Sequence, residues 1–509
     1  MKPPDAVRKG FGAVAAQSER TLLLGTILLL TAVSVATGVI LAQYYSVDVP
    51  SSLVFVPDDC YLDWGAKAGR HCFSDYTMPV SFGMRSNPWL PYPVYTHTGF
   101  KFASNNYTAA GMLPQLLFGV AGKWLGAPLV GLIGYLLAVT IAVFTPAVWA
   151  ARGAVGVERV VVFVACGVAA IPAWMAIDRG NSVGFVAPIA LVFLVALCRR
   201  RWGLAAVMVI LAALVKPQFA VLVVALFAAR QWRSGGIAVG GIVGTNLVAY
   251  VLWPRDFPET IVQSMRNTFG TYGQGSGTFQ GLIANFNVSF AKGLLAVPDG
   301  IKARELGGKV PDGFLAGPRL LLGYAVLALL VIAVLALGRR IPPVLAGVVL
   351  LSAAALFPAL SQPYYLVFAL PVAALVARDP DGPPGTGIFD RPAAVGGRRR
   401  AVGVCVSLAV AFSIAHIALP GPRVEAGDIT GQMGTLGAIG TRSVVVTTVS
   451  LVPLLWLVAC AVIIASYARR PATASGDDQE PAPESPPEVA VSDSSPPEPD
   501  REFTPQPPA

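Results

Sequence analysis

The chain has 509 residues, of which 55% are hydrophobic and only 13% are charged. Soluble domains carry about 25% charged residues, and a soluble globule of this size cannot bury so much apolar surface. The composition therefore excludes a soluble enzyme, a nucleic-acid-binding protein and a secreted disulfide scaffold, and it indicates a polytopic membrane protein. The net charge of +9 is the sum of an acidic C-terminal tail and a larger excess of basic residues in short loops between apolar segments. Basic residues in such loops indicate membrane topology.

The first apolar segment runs from Thr21 to about Gln43. It is longer than the roughly 7–15 residues of a signal-peptide core, and it is long enough for a bilayer core of about 30 Å. Basic residues precede it, so residues 1–20 are predicted to lie in the cytoplasm. The first extracytoplasmic loop covers residues 44–126 and ends in a moderately apolar stretch that we expect to form an interfacial helix.

Short basic turns alternate with short non-basic turns after the second span, which is predicted at residues 127–150. Residues 203–215 and 219–229 are each too short to cross a bilayer comfortably, and they flank Lys216. A second large extracytoplasmic loop, rich in Gly, Asn, Gln and Thr, covers residues 254–318. The pattern predicts two short helices that meet at Lys216 from the same side.

The expected fold class is an all-α polytopic membrane protein with about twelve membrane spans, two larger extracytoplasmic loops and both termini in the cytoplasm. The membrane domain covers residues 21–470. Residues 471–509 are acidic and rich in Pro, Glu and Ser, so this tail is predicted to be disordered.

Carboxylates follow the first span on the predicted outer face. Asp58 and Asp59 come first in the loop, and a carboxylate there is a candidate general base toward a hydroxyl substrate. The alternative is a solvated acidic turn. Asp63 and Asp75 are further candidates in the same loop.

Two cysteines, Cys60 and Cys72, lie in this loop, on the side of the membrane where thiols can be oxidised. We predict a disulfide that braces the aspartate pair, with free thiols as the alternative. His71 lacks further ligands at the spacing of a metal site, so no metal is expected. The chain also has no G-x-x-x-x-G-K-[ST] run, so no phosphate cradle of that kind is predicted.

Cationic residues at two membrane boundaries are candidates for phosphate binding. Asp178-Arg179 at a membrane boundary is costly unless paired or hydrated, so Arg179 either binds a phosphate or forms an intramolecular ion pair. Lys216 is expected to contact a phosphate or a lipid headgroup. Residues 361–365 supply hydroxyls and aromatic faces for a sugar ring, or else an ordinary aromatic belt. His97 of the first loop is placed on the same face.

The order of these features resembles the polyprenyl-phosphate-sugar-dependent glycosyltransferases of the GT-C superfamily, most of all glycosyltransferase family 87. The resemblance covers roughly residues 20–380 and depends on an ordered set of short motifs. In chain order these are Asp59-Cys60-Tyr61-Leu62-Asp63-Trp64, Tyr107 with Pro114, Arg179-Gly180-Asn181, Lys216-Pro217, Gln231-Trp232-Arg233, and Ser361-Gln362-Pro363-Tyr364-Tyr365-Leu366 with Pro371.

The resemblance implies an inverting transfer without metal or other cofactor. A mannosyl or arabinofuranosyl residue would leave a polyprenyl-phosphate donor and reach a cell-envelope glycan or glycolipid, outside a bacterial cell membrane. Asp59 or Asp58 would deprotonate the acceptor hydroxyl, and cations would hold the departing phosphate. The donor-phosphate residues implied are Arg179, Lys216 and Asn181. The substrate-binding candidates are Tyr107, His97, Gln362, Tyr364 and Tyr365.

Three other functions compete with this one. A transporter or flippase of lipid-linked sugars should place ionisable residues deep in its spans, and the spans here are nearly free of charge. A ligase that uses a lipid-diphosphate glycan would share the outer site and need more arginines around the diphosphate. Arg255 and Arg266 are compatible with this function. A scaffold that displays the acidic tail is the third.

Overall fold

The computed structural model describes residues 17–45, 73–96, 99–270, 286–307, 310–311, 313–390, 400–425, 428–431, 434–438 and 441–469. These residues are mostly helical and belong to one compact unit that ends at Arg469. Several predicted features lie outside the described residues, namely the tail, Asp58, Asp59, Asp63, Cys60, Cys72 and His97.

The described residues contain four helices that are long and apolar enough to cross a membrane. They are α1 (Glu19–Tyr45), α4 (Pro128–Ala151), α14 (Ala316–Leu337) and α18 (Val452–Ala468), and the 3₁₀ turn Thr448–Leu451 extends the last of these to 21 residues. The 24 residues of α4 extend roughly 36 Å at 1.5 Å per residue, which exceeds the bilayer core. Helices α1 and α4 lie where the first two spans are predicted.

A fifth apolar segment is bent by 48°. It consists of α5 (Val157–Phe163), a π-helical turn (Val164–Val168) and α6 (Ile171–Arg179). Pro172 lies in the first turn of α6, where its missing N–H costs no hydrogen bond. Trp174 Nε1 donates to the Val168 carbonyl at 2.8 Å, so a carbonyl freed by the bend is still satisfied.

Other apolar helices are short, with 10–17 residues including their 3₁₀ turns. They are α7 (Val186–Cys198) after Ser182–Phe185, α8 (Trp202–Val215), α9 (Val223–Ala228) after Pro217–Leu222, α15 (Pro343–Leu356), α16 (Ala369–Ala377) after Pro363–Phe368, and α17 (Arg400–Ile414). Seventeen residues extend only about 25 Å. The predicted count of about twelve spans is therefore not confirmed, because these helices fall short of the bilayer thickness.

Helices α15 and α16 form the centre of the bundle. Every residue of α16 is buried, as is almost all of α15. A helix that is apolar on all sides lies either in lipid or inside a protein, and α15 and α16 lie inside, packed between α4, α7, α9, α14 and α17. The turn between them is therefore surrounded by other helices of the bundle.

The remaining helices come between the apolar helices in the sequence. They are α2 (Ser74–Gly83), α3 (Ala109–Trp124), α10 (Trp232–Tyr250), α11 (Glu259–Gly270), α12 (Phe290–Leu294) and α13 (Ala296–Glu305). Helix α3 occupies the stretch predicted as an interfacial helix. Trp89, between α2 and α3, packs on Tyr250 and Trp253 with ring centroids 5.1 and 5.5 Å apart. Asn267 of α11 donates to the Trp89 carbonyl at 2.9 Å, so the two predicted outer loops are joined.

Small antiparallel sheets are an addition to the all-α prediction. The described residues form three two-stranded sheets, β1 (Tyr92–Thr96) with β2 (Gly99–Ala103), β3 (Ala418–Glu425) with β6 (Thr441–Thr447), and β4 (Asp428–Gly431) with β5 (Gly434–Ala438). In the second sheet Ala418 lies opposite Thr447. The β-branched run of β6 favours this extended form within the loop predicted between the last two spans.

Arginine side chains connect separate helices at the end of the bundle opposite that loop. Arg20 of α1 pairs with Glu158 of α5 and donates to the Ala377 carbonyl at 2.8 Å. Arg199, after α7, pairs with Asp381 at 2.7 Å. This is the end that the basic residues predict to be cytoplasmic.

Candidate functional site

Three of the connections between two described helices carry a polar residue followed by a 3₁₀ turn. Asn181 precedes Ser182–Phe185, Lys216 precedes Pro217–Leu222, and Gln362 precedes Pro363–Phe368. Pro217 and Pro363 suit the first position of such turns because their φ is already helical. The turn at Pro363–Phe368 contacts both α6 and the turn at Ser182–Phe185, so separate stretches of the sequence meet at one end of the bundle.

The first of these connections has a well-defined local geometry. Helix α6 ends in a Schellman motif, in which Asn181 N donates to Ala176 O at 2.9 Å and Gly180 N donates to Ile177 O at 3.0 Å. Gly180 has a φ of +64°, the left-handed conformation that this motif needs. Asn181 Oδ1 then accepts from Val183 N at 2.9 Å. This leaves the Asn181 Nδ2 amide to point away from the helix end.

The carboxylate of Asp75, at the start of α2, accepts a hydrogen bond from that amide. Asn181 Nδ2 donates to Asp75 Oδ2 at 2.9 Å, and Arg179 Nε lies 3.8 Å from the same oxygen. The Arg179 side chain is fully buried, whereas the Asp75 side chain is 19% exposed. Tyr107 Oη lies 3.4 Å from Asp75 Oδ1. The ion pair considered for Arg179 is therefore present, with Asp75 of the first loop as its carboxylate.

Lys216 completes the group. The lysine is buried, and its Nζ lies 4.4 Å from the centroid of the Tyr107 ring and 6.0 Å from that of Tyr365. Aromatic faces attract a cation at such distances. Tyr365 in turn lies 5.2 Å from the Tyr364 ring. We call Asp75, Tyr107, Arg179, Asn181 and Lys216 the polar cluster.

Several buried polar atoms lie near the polar cluster, in sequence or in space. They have no hydrogen-bond partner among the described residues. They include Gln218 Nε2, Gln362 Oε1 and Tyr135 Oη. Tyr135 of α4 packs against Tyr76 of α2, with ring centroids 4.8 Å apart. Buried polar groups in folded proteins are nearly always satisfied, so these atoms are candidates to bind a polar ligand.

Tyr76 and Tyr135 were not predicted as site residues. Tyr76 directly follows Asp75 and raises no signal of its own, and Tyr135 stands in an apolar span. A buried tyrosine usually finds a partner for its hydroxyl, which is the signal that Tyr135 offers. Burial raises the pKa of Tyr76 above its ordinary value.

Asn287, in the predicted second outer loop, fixes the third connection. Its Nδ2 donates to the Ala359 carbonyl at 2.9 Å, and its Oδ1 accepts from Ser361 N at 3.0 Å. Ser361 Oγ donates to the Ala355 carbonyl at 2.7 Å. Ser361 is fully buried, so it holds the turn and does not offer its hydroxyl to a sugar. Asn287 is likewise a structural residue that the sequence does not reveal.

Gly180 provides a stability prediction. A Cβ added there would lie 3.0 Å from the Tyr76 Cβ, and the φ of +64° adds strain, which costs about 1–2 kcal/mol for a residue with a Cβ. Gly180→Ala should therefore lower Tm and displace Asn181. Gly126→Ala is the matched control, because Gly126 has the same φ and nothing within 4 Å of its added Cβ. Equal Tm values for the two variants would contradict the close approach.

The structure thus brings Tyr107, Arg179, Asn181 and Lys216 together, with Tyr365 at the edge and Tyr364 and Gln362 next to it in the chain. Within the described residues no group of three or more His, Cys, Asp or Glu side chains is placed to hold a metal ion.

The comparisons with known proteins concern the same region. Residues 107–360 match the model of glycosyltransferase family 87. This range covers about half of the chain and includes four of the five residues of the polar cluster. No curated protein matches the chain. Through residues 107–360 this helical membrane protein therefore belongs to glycosyltransferase family 87, and it is a glycosyltransferase.

Proposed function

We propose that the protein transfers a mannosyl or arabinofuranosyl residue from a polyprenyl-phosphate donor to a cell-envelope glycan or glycolipid. The reaction takes place on the extracytoplasmic face of a bacterial cell membrane and inverts the anomeric configuration. The observation that carries the proposal is the polar cluster itself, in which two buried cations, an amide and a carboxylate meet at one end of an apolar bundle.

Arg179 and Lys216 are assigned to the donor phosphate. When the bond from the anomeric carbon to the phosphate oxygen breaks, negative charge grows on the phosphate. Buried cations stabilise such a developing charge more strongly than they would in water. Asn181 supplies a further donor. A lipid-borne donor reaches the cluster from the membrane, which fits a chain whose described part consists mainly of apolar helices.

The sugar ring is assigned to the aromatic and amide groups beside the cations. Tyr107, Tyr364 and Tyr365 present aromatic rings, and Gln362 Oε1 is a buried acceptor with no partner among the described residues. Sugar hydroxyls are suitable donors for such an atom. His97 remains a substrate-binding candidate from the sequence.

Two kinds of carboxylate have separate roles in the proposal. Asp75 is already engaged by Asn181 and Arg179, so we assign it to orient these two phosphate-binding residues. The general base is then Asp59, with Asp58 as the neighbouring alternative, and it removes the proton from the acceptor hydroxyl that attacks the anomeric carbon. A disulfide between Cys60 and Cys72 would brace this segment.

A donor panel tests the proposal. Membranes containing the protein are incubated with labelled mannose or arabinofuranose on polyprenyl monophosphate, and with a glycan on polyprenyl diphosphate. We expect label transfer from one monophosphate donor and none from the diphosphate. Membranes without the protein are the control. Transfer from the diphosphate donor alone would replace the proposal with the ligase alternative.

A further inference from the structure

A cavity of about 210 Å³ lies at the other end of the bundle from the polar cluster. Its walls are mainly apolar and come from the end of α4, the second half of α7 and the start of α8; the residues used below are Trp149, Val192, Val195, Leu204, Arg199 and Arg201. Asn181 and Lys216 lie at the far ends of the same α7 and α8 hairpin. The 14 residues of α8 place the cavity about 21 Å from Lys216.

The cavity opens among exposed apolar side chains. Val192 and Leu204 are each 38% exposed, and Val148 beside Trp149 is 39% exposed. Exposed apolar side chains on membrane helices contact acyl chains. An apolar groove in this position therefore suits one chain of a lipid rather than a soluble molecule.

One end of the cavity is cationic. Arg199 and Arg201 line it, and both are exposed. Arg199 is paired with Asp381 at 2.7 Å, whereas the Arg201 guanidinium makes no hydrogen bond or ion pair with any described residue. Arg378 lies over the Trp149 ring at 4.6 Å. Guanidinium groups outnumber carboxylates at this rim, which is complementary to a phosphate.

We infer that this groove binds an anionic phospholipid, with an acyl chain along Trp149, Val195 and Leu204 and its phosphate at Arg201 and Arg199. Basic pockets between membrane helices on the cytoplasmic side recognise anionic headgroups in this way. The bound lipid would hold the closed end of the hairpin whose other ends carry Asn181 and Lys216. This site is separate from the donor site and does not depend on the identity of the donor.

The test is a thermal-unfolding measurement on the full chain in dodecyl maltoside micelles. Dioleoyl phosphatidylglycerol should raise Tm by several degrees, because a ligand that binds only the folded state stabilises it. Equal amounts of dioleoyl phosphatidylcholine or of free glycerol 3-phosphate should leave Tm unchanged. The inference would be overturned if the two phospholipids raised Tm equally. It would also be overturned if glycerol 3-phosphate without any lipid raised Tm as much as phosphatidylglycerol does.

Three variants locate the effect. Val192→Trp fills the groove from its exposed side and should abolish the shift, and Arg201→Gln should reduce it by at least half without loss of an internal ion pair. Arg340→Gln removes an exposed arginine from another turn at this end and should keep the full shift. If Arg201→Gln and Arg340→Gln behave alike, or Val192→Trp keeps the full shift, the lipid does not bind in this groove.

Discussion

Lys216→Met is expected to lower kcat by about 10²–10³-fold, the usual loss when a group that stabilises developing negative charge is removed. The physical reason is the position of Lys216, which is buried with its Nζ 4.4 Å from the centroid of the Tyr107 ring. The hydroxyl of that tyrosine lies 3.4 Å from Asp75 Oδ1. Methionine keeps most of the side-chain volume and removes the charge. Because burying a charge is costly, Tm should hold or rise.

Lys123→Met is the matched control, because Lys123 lies exposed in the last turn of α3. It should keep the wild-type rate. Initial rates of label transfer and Tm are measured for both variants. Transfer by Lys216→Met at the wild-type rate would remove this lysine from the donor site, and a fall in Tm together with rate would assign it a structural role instead.

Asp59→Asn is expected to give the second large effect, a loss of about 10²–10⁴-fold in kcat, which is the typical contribution of a general base. The substitution keeps the shape of the side chain and removes its ability to accept the proton. Asp58→Asn should retain much of the activity if Asp59 is the base. The reverse result would exchange the two roles.

Asp75→Asn separates positioning from proton transfer. Asp75 accepts from Asn181 and faces Arg179, so its loss should raise the KM for the donor more than it lowers kcat. The measurement is a full set of rates against donor concentration at several pH values. If Asp75→Asn abolishes kcat while Asp59→Asn stays active, the general base is Asp75.

The local elements of the site can be predicted because each has a local chemical signal. The Gly of Arg179-Gly180-Asn181 marks a helix end, and the Pro of Lys216-Pro217 marks the start of a new turn. The pairing of Asp75 with Arg179 is different, because it joins residues more than a hundred positions apart. Hydropathy carries no information on such a contact.

The span count shows a second limit of the sequence. Hydropathy detects an apolar segment but does not show whether lipid or protein surrounds it. Helices α15 and α16 are apolar because they are buried on all sides, and they read as membrane spans although each is short. The pairing of β3 with β6 is likewise hidden from the sequence, because Gly and Pro interrupt the alternation of β3 and β4 and β5 separate the two strands in the chain.

The central claim is that the polar cluster holds the phosphate of a polyprenyl-phosphate sugar during transfer. The most direct measurement uses the purified full chain in liposomes with labelled polyprenyl-phosphate mannose or arabinofuranose and an envelope glycolipid extract. Labelled glycolipid and free polyprenyl phosphate are quantified together for the wild type, Lys216→Met and Lys123→Met. The claim predicts equal amounts of the two products in the wild type and the Lys123 variant, and almost none with Lys216→Met. Release of neither product from either donor by the wild-type protein would contradict it.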